Sequence, residues 1–150
     1  MKMVRFKGSI IKQGTRCWIE LPEAAAQLLG EPPHYLEGVI AGRSFRGRTE
    51  RYDQRVILPV GATWLRDNGV QPLQEVACEL RLESPLLEEL SADIRDAIQT
   101  DPQAQAFFES IAPFYRKKYL RWIEGARTPA IRARRIAETV ECLCNKRLER

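Results

Sequence analysis

Three arginines, Arg132, Arg134 and Arg135, fall in the opening turns of a helix that starts at Thr128-Pro129, in the stretch TPAIRARRIAETVE. The start of a helix carries free N–H groups and the positive pole of the macrodipole, so acids are favoured there and arginines mildly disfavoured. This start has three arginines and no acid. Free N–H groups beside guanidinium groups make a suitable anion or partner site, with Thr128, Arg132, Arg134 and Arg135 as its residues. The alternative is internal pairing or plain solvation, since most surface charge contributes little. On a helical wheel Arg134 and Arg135 point away from the apolar stripe and Arg132 flanks it, so all three are available.

A second constellation lies one helix earlier. Tyr115, Tyr119 and Trp122 stand beside Lys117, Lys118 and Arg121, a pattern that could stack and neutralise a nucleic acid. These aromatics are also the only apolar stripe of that helix, which favours core packing. Phe114 and Trp18 are then the aromatics left for a surface. Other chemistry finds little support. His34 lies between Pro33 and Tyr35 with no nucleophile motif nearby, and GxSxG, the P-loop, GxGxxG and HExxH are all absent. The chain is therefore expected not to be an enzyme and to carry no cofactor. Cys17, Cys78, Cys142 and Cys144 form no CxxC pair, and a structural zinc site normally needs four Cys/His ligands in close-spaced pairs. Metal-free, reduced thiols are the expectation.

Charge is segregated in the second half. Residues 84–110 hold Glu88, Glu89, Asp93, Asp96, Asp101 and Glu109 against Arg95 alone. Residues 111–136 hold Arg116, Lys117, Lys118, Arg121, Arg127, Arg132, Arg134 and Arg135 against Glu124 alone. The simplest reading has acidic and basic helices neutralising each other. Over all 150 residues the formal charge is +4, which permits an anionic partner without demanding one. No apolar run approaches the roughly 20 residues of a membrane span, and the first residues lack the apolar core of a secretory signal. A cytoplasmic protein, monomeric or weakly dimeric, is expected.

These residues must be positioned by two kinds of element. WIELPEAAAQL (residues 18–28) and RVILPVGATWL (residues 55–65) align at a period of about 37 residues, the range in which repeats define architecture. Each copy reads as a strand ending at Leu-Pro, a proline-opened short helix, a glycine-containing turn and another strand. Val76, Cys78, Leu80 and Leu82 alternate with Glu79, Arg81 and Glu83; Cys17, Ile19 and Leu21 alternate with Arg16, Trp18 and Glu20. Neither ββαβ unit can hide an apolar face alone, whereas two related by a pseudo-twofold axis close into a small barrel without edges. Chance similarity of two apolar strands is the alternative.

From Pro85 the pattern turns helical. Leu87, Leu90, Ile94, Ala97 and Ile98 share one face; Asp101-Pro102 opens a helix; Pro113 starts or kinks the next. In the last helix Ala133, Ile136, Ala137, Val140, Leu143 and Cys144 make a stripe. The expected fold class is α+β: an internally duplicated, swapped-hairpin-like β-barrel over residues 1–83, then a bundle of three to four helices over residues 86–148.

WIELP, GVIAGRSFRG, RVILPV and LRLESP occur in an order that resembles the N-terminal barrel of the YdeI/OmpD-associated family. Residues 101–143, with Trp122-Ile123, Arg127 and the run from Arg132 to Ile136, are similar to that family's helical module. Ala130 and Ile131 stand where the family often has an acid and a threonine, and Pro72-Leu73-Gln74 replaces a common Gly-Asp turn. The resemblance implies a bacterial cytosolic protein of uncharacterised biochemistry, associated with protection against bacteriocins or antimicrobial peptides; the arginine cluster at the start of the last helix adds the expectation of a protein or anionic partner. The resemblance brings no catalytic residues. Each half of the barrel also resembles the swapped hairpin of AbrB-type transcription factors. That likeness implies nucleic-acid binding on Arg43, Arg46, Arg48, Arg51 and Arg55, a surface interrupted by Glu50 and Asp53. A small ligand at the barrel–helix junction is a third reading.

Overall fold

The computed structural model describes residues 3–150, which divide into two compact units between Glu83 and Ser84. The first unit runs β1 (Met3–Gln13), β2 (Arg16–Glu20), α1 (Glu23–Leu29), β3 (Tyr35–Ile40), β4 (Arg43–Arg48), β5 (Glu50–Tyr52), β6 (Arg55–Pro59), α2 (Ala62–Asn68) and β7 (Glu75–Leu82). Its strands form one curled antiparallel sheet in the order β4-β3-β7-β1-β2-β6-β5. The two outermost strands, β4 and β5, are consecutive in the chain on either side of Thr49, which is why the sheet curls.

The alternation of β7 is realised, with Val76, Cys78 and Leu80 buried. They join Ile10, Ile19, Leu36, Ile40 and Leu58, all fully buried, in one core. Burying each such aliphatic side chain is worth about 1.5–3 kcal/mol relative to exposure. Gly38, where β3 crosses β7, permits a close approach: a Cβ there would lie 2.1 Å from the Glu79 carbonyl oxygen. Pro22 stands as the N-cap of α1, one position before the first helical residue where the proline was expected. Pro59 instead ends β6, and α2 starts only at Ala62 after Val60-Gly61. Trp18 does not face solvent: it is 6% exposed, covered by Tyr52 with ring centroids 5.4 Å apart and by the Arg16 guanidinium 5.8 Å from its ring. The strict alternation read from β2 fails there because Tyr52, on β5 two strands away in the sheet, roofs the outward face.

The second unit holds a 3-10 turn (Leu87–Glu89), α3 (Ala92–Gln99), α4 (Pro102–Ser110), α5 (Pro113–Glu124) and α6 (Pro129–Cys144). The stripe from Leu87 to Ile98 is not one helix. Glu89 Oε1 accepts from Leu86 N and from Ser84 Oγ, 2.8 Å each, which holds the chain in a tight turn, and Ser91 in extended geometry starts α3 afresh. Asp101 Oδ1 caps α4 by accepting from Gln103 N and Ala104 N at 3.0 and 3.2 Å. Thr128 Oγ1 caps α6 by accepting from Ile131 N at 3.1 Å. Both follow Ser/Thr/Asp-then-proline chemistry.

The core of this unit is Ile94, Ile98, Ala104, Phe108, Tyr119, Ile123, Ile136 and Leu143. On α6 the buried residues are Ile136, Thr139, Cys142 and Leu143, while Ala133 and Ala137 are exposed. The stripe is thus rotated from the one the apolar pattern indicates. Thr139 can sit inside because its hydroxyl donates to Arg135 O at 2.8 Å, and an alanine methyl offers little area for burial to act on.

Candidate functional site

The α6 arginines divide by environment. Arg132 meets Asp93 as a fork, Nε to Oδ2 at 2.7 Å and Nη2 to Oδ1 at 3.0 Å, with Nη2 also donating to Ser91 Oγ at 3.0 Å. The guanidinium and the Ser91 hydroxyl hold the Asp93 carboxyl well below the usual carboxylate range. Arg135 donates from Nη1 to the Trp122 carbonyl at 2.7 Å and lies 5.2 Å from the Trp122 ring. Thr128 spends its hydroxyl on the cap. Arg134 is exposed and has no polar partner among the described residues. The structure therefore ties the acidic and basic helices through Arg132 and Asp93, and it leaves one of the three guanidinium groups open. Glu138, four residues after Arg134 on α6, makes no ion pair with it among the described residues.

Four of the five strand arginines, all but Arg43, are likewise partnered among the described residues. Arg46 pairs with the buried Glu83 at 2.8 Å and lies 3.8 Å from Glu37. Arg51 meets Glu31 at 3.0 Å, and Arg55 meets Glu20 at 3.1 Å. Arg48 lies 5.8 Å from the Tyr35 ring, and Arg43 is exposed at the start of β4. With Arg16–Glu50 and Arg81–Glu37, these arginines belong to alternating charge pairs rather than to a uniform cationic surface.

A different cationic surface emerges on α5. Tyr119 and Ile123 turn into the core, which leaves Lys118, Arg121 and part of Trp122 outside. The segment after α6 folds back across them. Arg147 N donates to Cys142 O at 2.9 Å, and the Tyr119 hydroxyl donates to Arg147 O at 2.5 Å. Burial pushes the Tyr119 phenol up to about 12, so it remains a donor at neutral pH. Beyond that anchor, Glu149 accepts from Lys118 Nζ, which lowers the Glu149 carboxyl, and the Arg150 guanidinium stacks 4.3 Å from the Trp122 ring. Lys118, Tyr119, Arg121, Trp122, Leu148, Glu149 and Arg150 enclose an open groove of about 590 Å³. Arg121 has no acidic partner among the described residues, and Glu149 is the only acid lining the groove. Phe114, 63% exposed, extends the aromatic surface beside Lys118, whose Nζ lies 5.6 Å from its ring.

Sequence reasoning named Lys118, Tyr119, Arg121 and Trp122 together but missed residues 147–150. Their one signal is Leu148, a lone aliphatic in an otherwise charged tail. Two buried polar groups were also missed. Arg116 is 5% exposed inside the helical unit. His34 is buried in the sheet unit, its Nδ1 2.8 Å from Thr49 Oγ1 and its Nε2 without a hydrogen-bond partner among the described residues. Burial lowers its pKa.

All four cysteines are free. Burial pushes the Cys78 thiol up to about 11, and Cys144 Sγ donates to Asp101 Oδ2 at 2.7 Å. Among the described residues no group of three His, Cys, Asp or Glu side chains could hold a metal ion. No helix there is long and apolar enough to cross a membrane.

Comparison with known proteins bears on the same unit. Residues 89–145 match the model of the family described as bacteriocin-protection, YdeI or OmpD-associated. The family resemblance read from the sequence therefore holds over residues 89–145 of the helical module, which contain α3 to α6 and all of the groove's α5 wall. No curated protein matches the chain.

Proposed function

We propose that this chain is a non-enzymatic binding protein of the YdeI/OmpD-associated type, and that its helical unit holds an anionic partner in the groove of Lys118, Arg121, Trp122 and Arg150. One observation carries the reading. Three cations and a partly exposed tryptophan line the groove against a single acidic side chain, that of Glu149. Elsewhere on the chain, comparable arginines such as Arg46, Arg51, Arg55 and Arg132 already have acids. An unbalanced cationic pocket with an aromatic wall favours a ligand that brings negative charge and some apolar surface. The cytoplasmic location and a protective role belong to this proposal as well. Arg134, beside the capped start of α6, adds positive charge to the same unit.

Nucleic-acid binding ranks below this, because each phosphate placed on Arg46, Arg51 or Arg55 must displace an existing acid. The test is a melting experiment on the intact protein with citrate or inorganic phosphate. A ligand that binds only the folded state at about 100 times its Kd stabilises by about 2.7 kcal/mol. Stabilisation that disappears in Arg121→Gln/Arg150→Gln supports the groove. No anion-dependent stabilisation at any concentration overturns it.

For the sheet unit we infer an internal duplication closed into a barrel. Supporting it, β1-β2 and β5-β6 pair alike, β1-β7 and β4-β3 pair alike, and the strands matched by the repeat, β2 with β6 and β3 with β7, pair with each other. A crystal structure in which residues 14–30 and 52–68 superpose element on element supports the duplication. Unrelated surroundings for Pro22 and Pro59 would remove it.

A further inference from the structure

The tail that forms one wall of the groove is itself seated like a ligand. Its anchor ends at Arg147, where Cys142 O and the Tyr119 hydroxyl hold the backbone. Among the described residues, 148–150 make no backbone hydrogen bond. They stay in place through Glu149 on Lys118 and Arg150 on Trp122. The Glu149 and Lys118 side chains are 59% and 40% exposed, and Leu148 is 41% exposed. Exposed ion pairs and exposed cation–π contacts are weak. Residues 148–150 can therefore lift off while Arg147 stays.

What the tail presents defines what the groove accepts. An aliphatic residue, Leu148, precedes a carboxylate that Lys118 binds. Arg121 has no acidic partner among the described residues, and Glu149 is the one acidic side chain of the lining. Arg150 shields the aromatic wall and adds a cation.

We propose that residues 148–150 are a built-in competitor for this groove, and that the partner is an acidic peptide segment alternating aliphatic and acidic residues. The inference rests on the groove proposed above as the anion site. The partner's first acid replaces Glu149 on Lys118 and its second takes Arg121. Its aliphatic residue takes the place of Leu148 in the groove lining. Occupancy by the tail reduces apparent affinity by the fraction of molecules in which the groove is open.

Calorimetric titration of the full chain with a blocked hexapeptide of alternating leucine and glutamate tests this, with the Trp122 indole N–H followed by NMR. The expected result is weak binding to the wild type and binding about fivefold tighter to Glu149→Gln, the gain from an open groove. Leu148→Ser should move affinity the same way, and Arg121→Gln should weaken it in the Glu149→Gln background. Glu149 and Leu148 are exposed, so both variants should melt as the wild type does. Equal affinity for wild type, Glu149→Gln and Leu148→Ser overturns the competitor while leaving the groove standing. Failure of the peptide to bind any variant that still binds citrate overturns the acidic-peptide assignment. Failure of both ligands overturns the groove with it.

Discussion

Arg116 should be worth more to the helical unit than any surface charge. It is 5% exposed. Its Nε donates to Phe108 O at 2.9 Å, Nη2 to Glu109 O at 2.8 Å and Nη1 to Pro85 O at 3.1 Å. Its guanidinium also lies 5.4 Å from the Phe108 ring. Phe108 and Glu109 are in the last turn of α4, where carbonyls lack intrahelical partners and the dipole favours a cation. One side chain thus caps a helix end and ties down the segment that leads into the 3-10 turn. Arg116→Met keeps the stem and deletes the donors. Hydrogen bonds to charged groups contribute about 1.5–3 kcal/mol each, and water recovers part of that at the rim, so the expected loss is about 3–5 kcal/mol. Arg116→Lys retains the charge but not the fork, and should cost roughly half as much. Urea unfolding of the intact chain, followed by circular dichroism at 222 nm, measures both. For a unit of this size each kcal/mol lowers the melting temperature by about 4–8 °C. A loss below about 1 kcal/mol for Arg116→Met would refute the reasoning, because three charged hydrogen bonds cannot vanish from a buried site so cheaply.

The other expectations follow from single contacts. Gly38→Ala places a methyl 2.1 Å from the Glu79 carbonyl and should destabilise the sheet unit by at least about 2 kcal/mol; a melt within a degree of wild type would contradict the close approach. His34 has a folded pKa below its ordinary 6.5 because burial disfavours the charged ring. Its contribution is therefore complete above about pH 6.5 and is lost as pH falls through the lower folded value, at up to about 1.4 kcal/mol per pH unit. Urea unfolding across that range should show the slope in wild type and not in His34→Gln. The paired substitution Arg132→Gln/Arg135→Gln should lower stability by about 1–2 kcal/mol, since it removes the Asp93 fork and the Trp122 carbonyl bond. An unchanged or raised melting temperature would mean these arginines serve a ligand instead. Asp93 gives a pH signature for the same pair: its carboxyl is held low by Arg132, so that stabilisation is present above the ordinary 3.8 and disappears as pH falls below it.

Several features were legible in the chain because their causes are local. Thr128-Pro129 and Asp101-Pro102 start α6 and α4 through hydrogen bonds spanning two or three residues, and such chemistry is written in neighbouring positions. The same holds for the alternation of β7 and for the α+β division near residue 84. The helical module's family likeness, carried by residues within 89–145, was legible for that reason too. What the sequence could not contain is where long side chains end. Arg116 sits in a basic run, yet only the tertiary structure brings it to Pro85 O, 31 residues away. Arg132 reaches an acid 39 residues away, while its neighbour Arg134 reaches none among the described residues. Trp18 is buried because a strand from elsewhere lays Tyr52 on it. The groove on α5 exists because the tail folds back and is caught by Tyr119. A guanidinium or an indole has similar local propensities in water and in a core, so its environment is decided by elements distant in sequence.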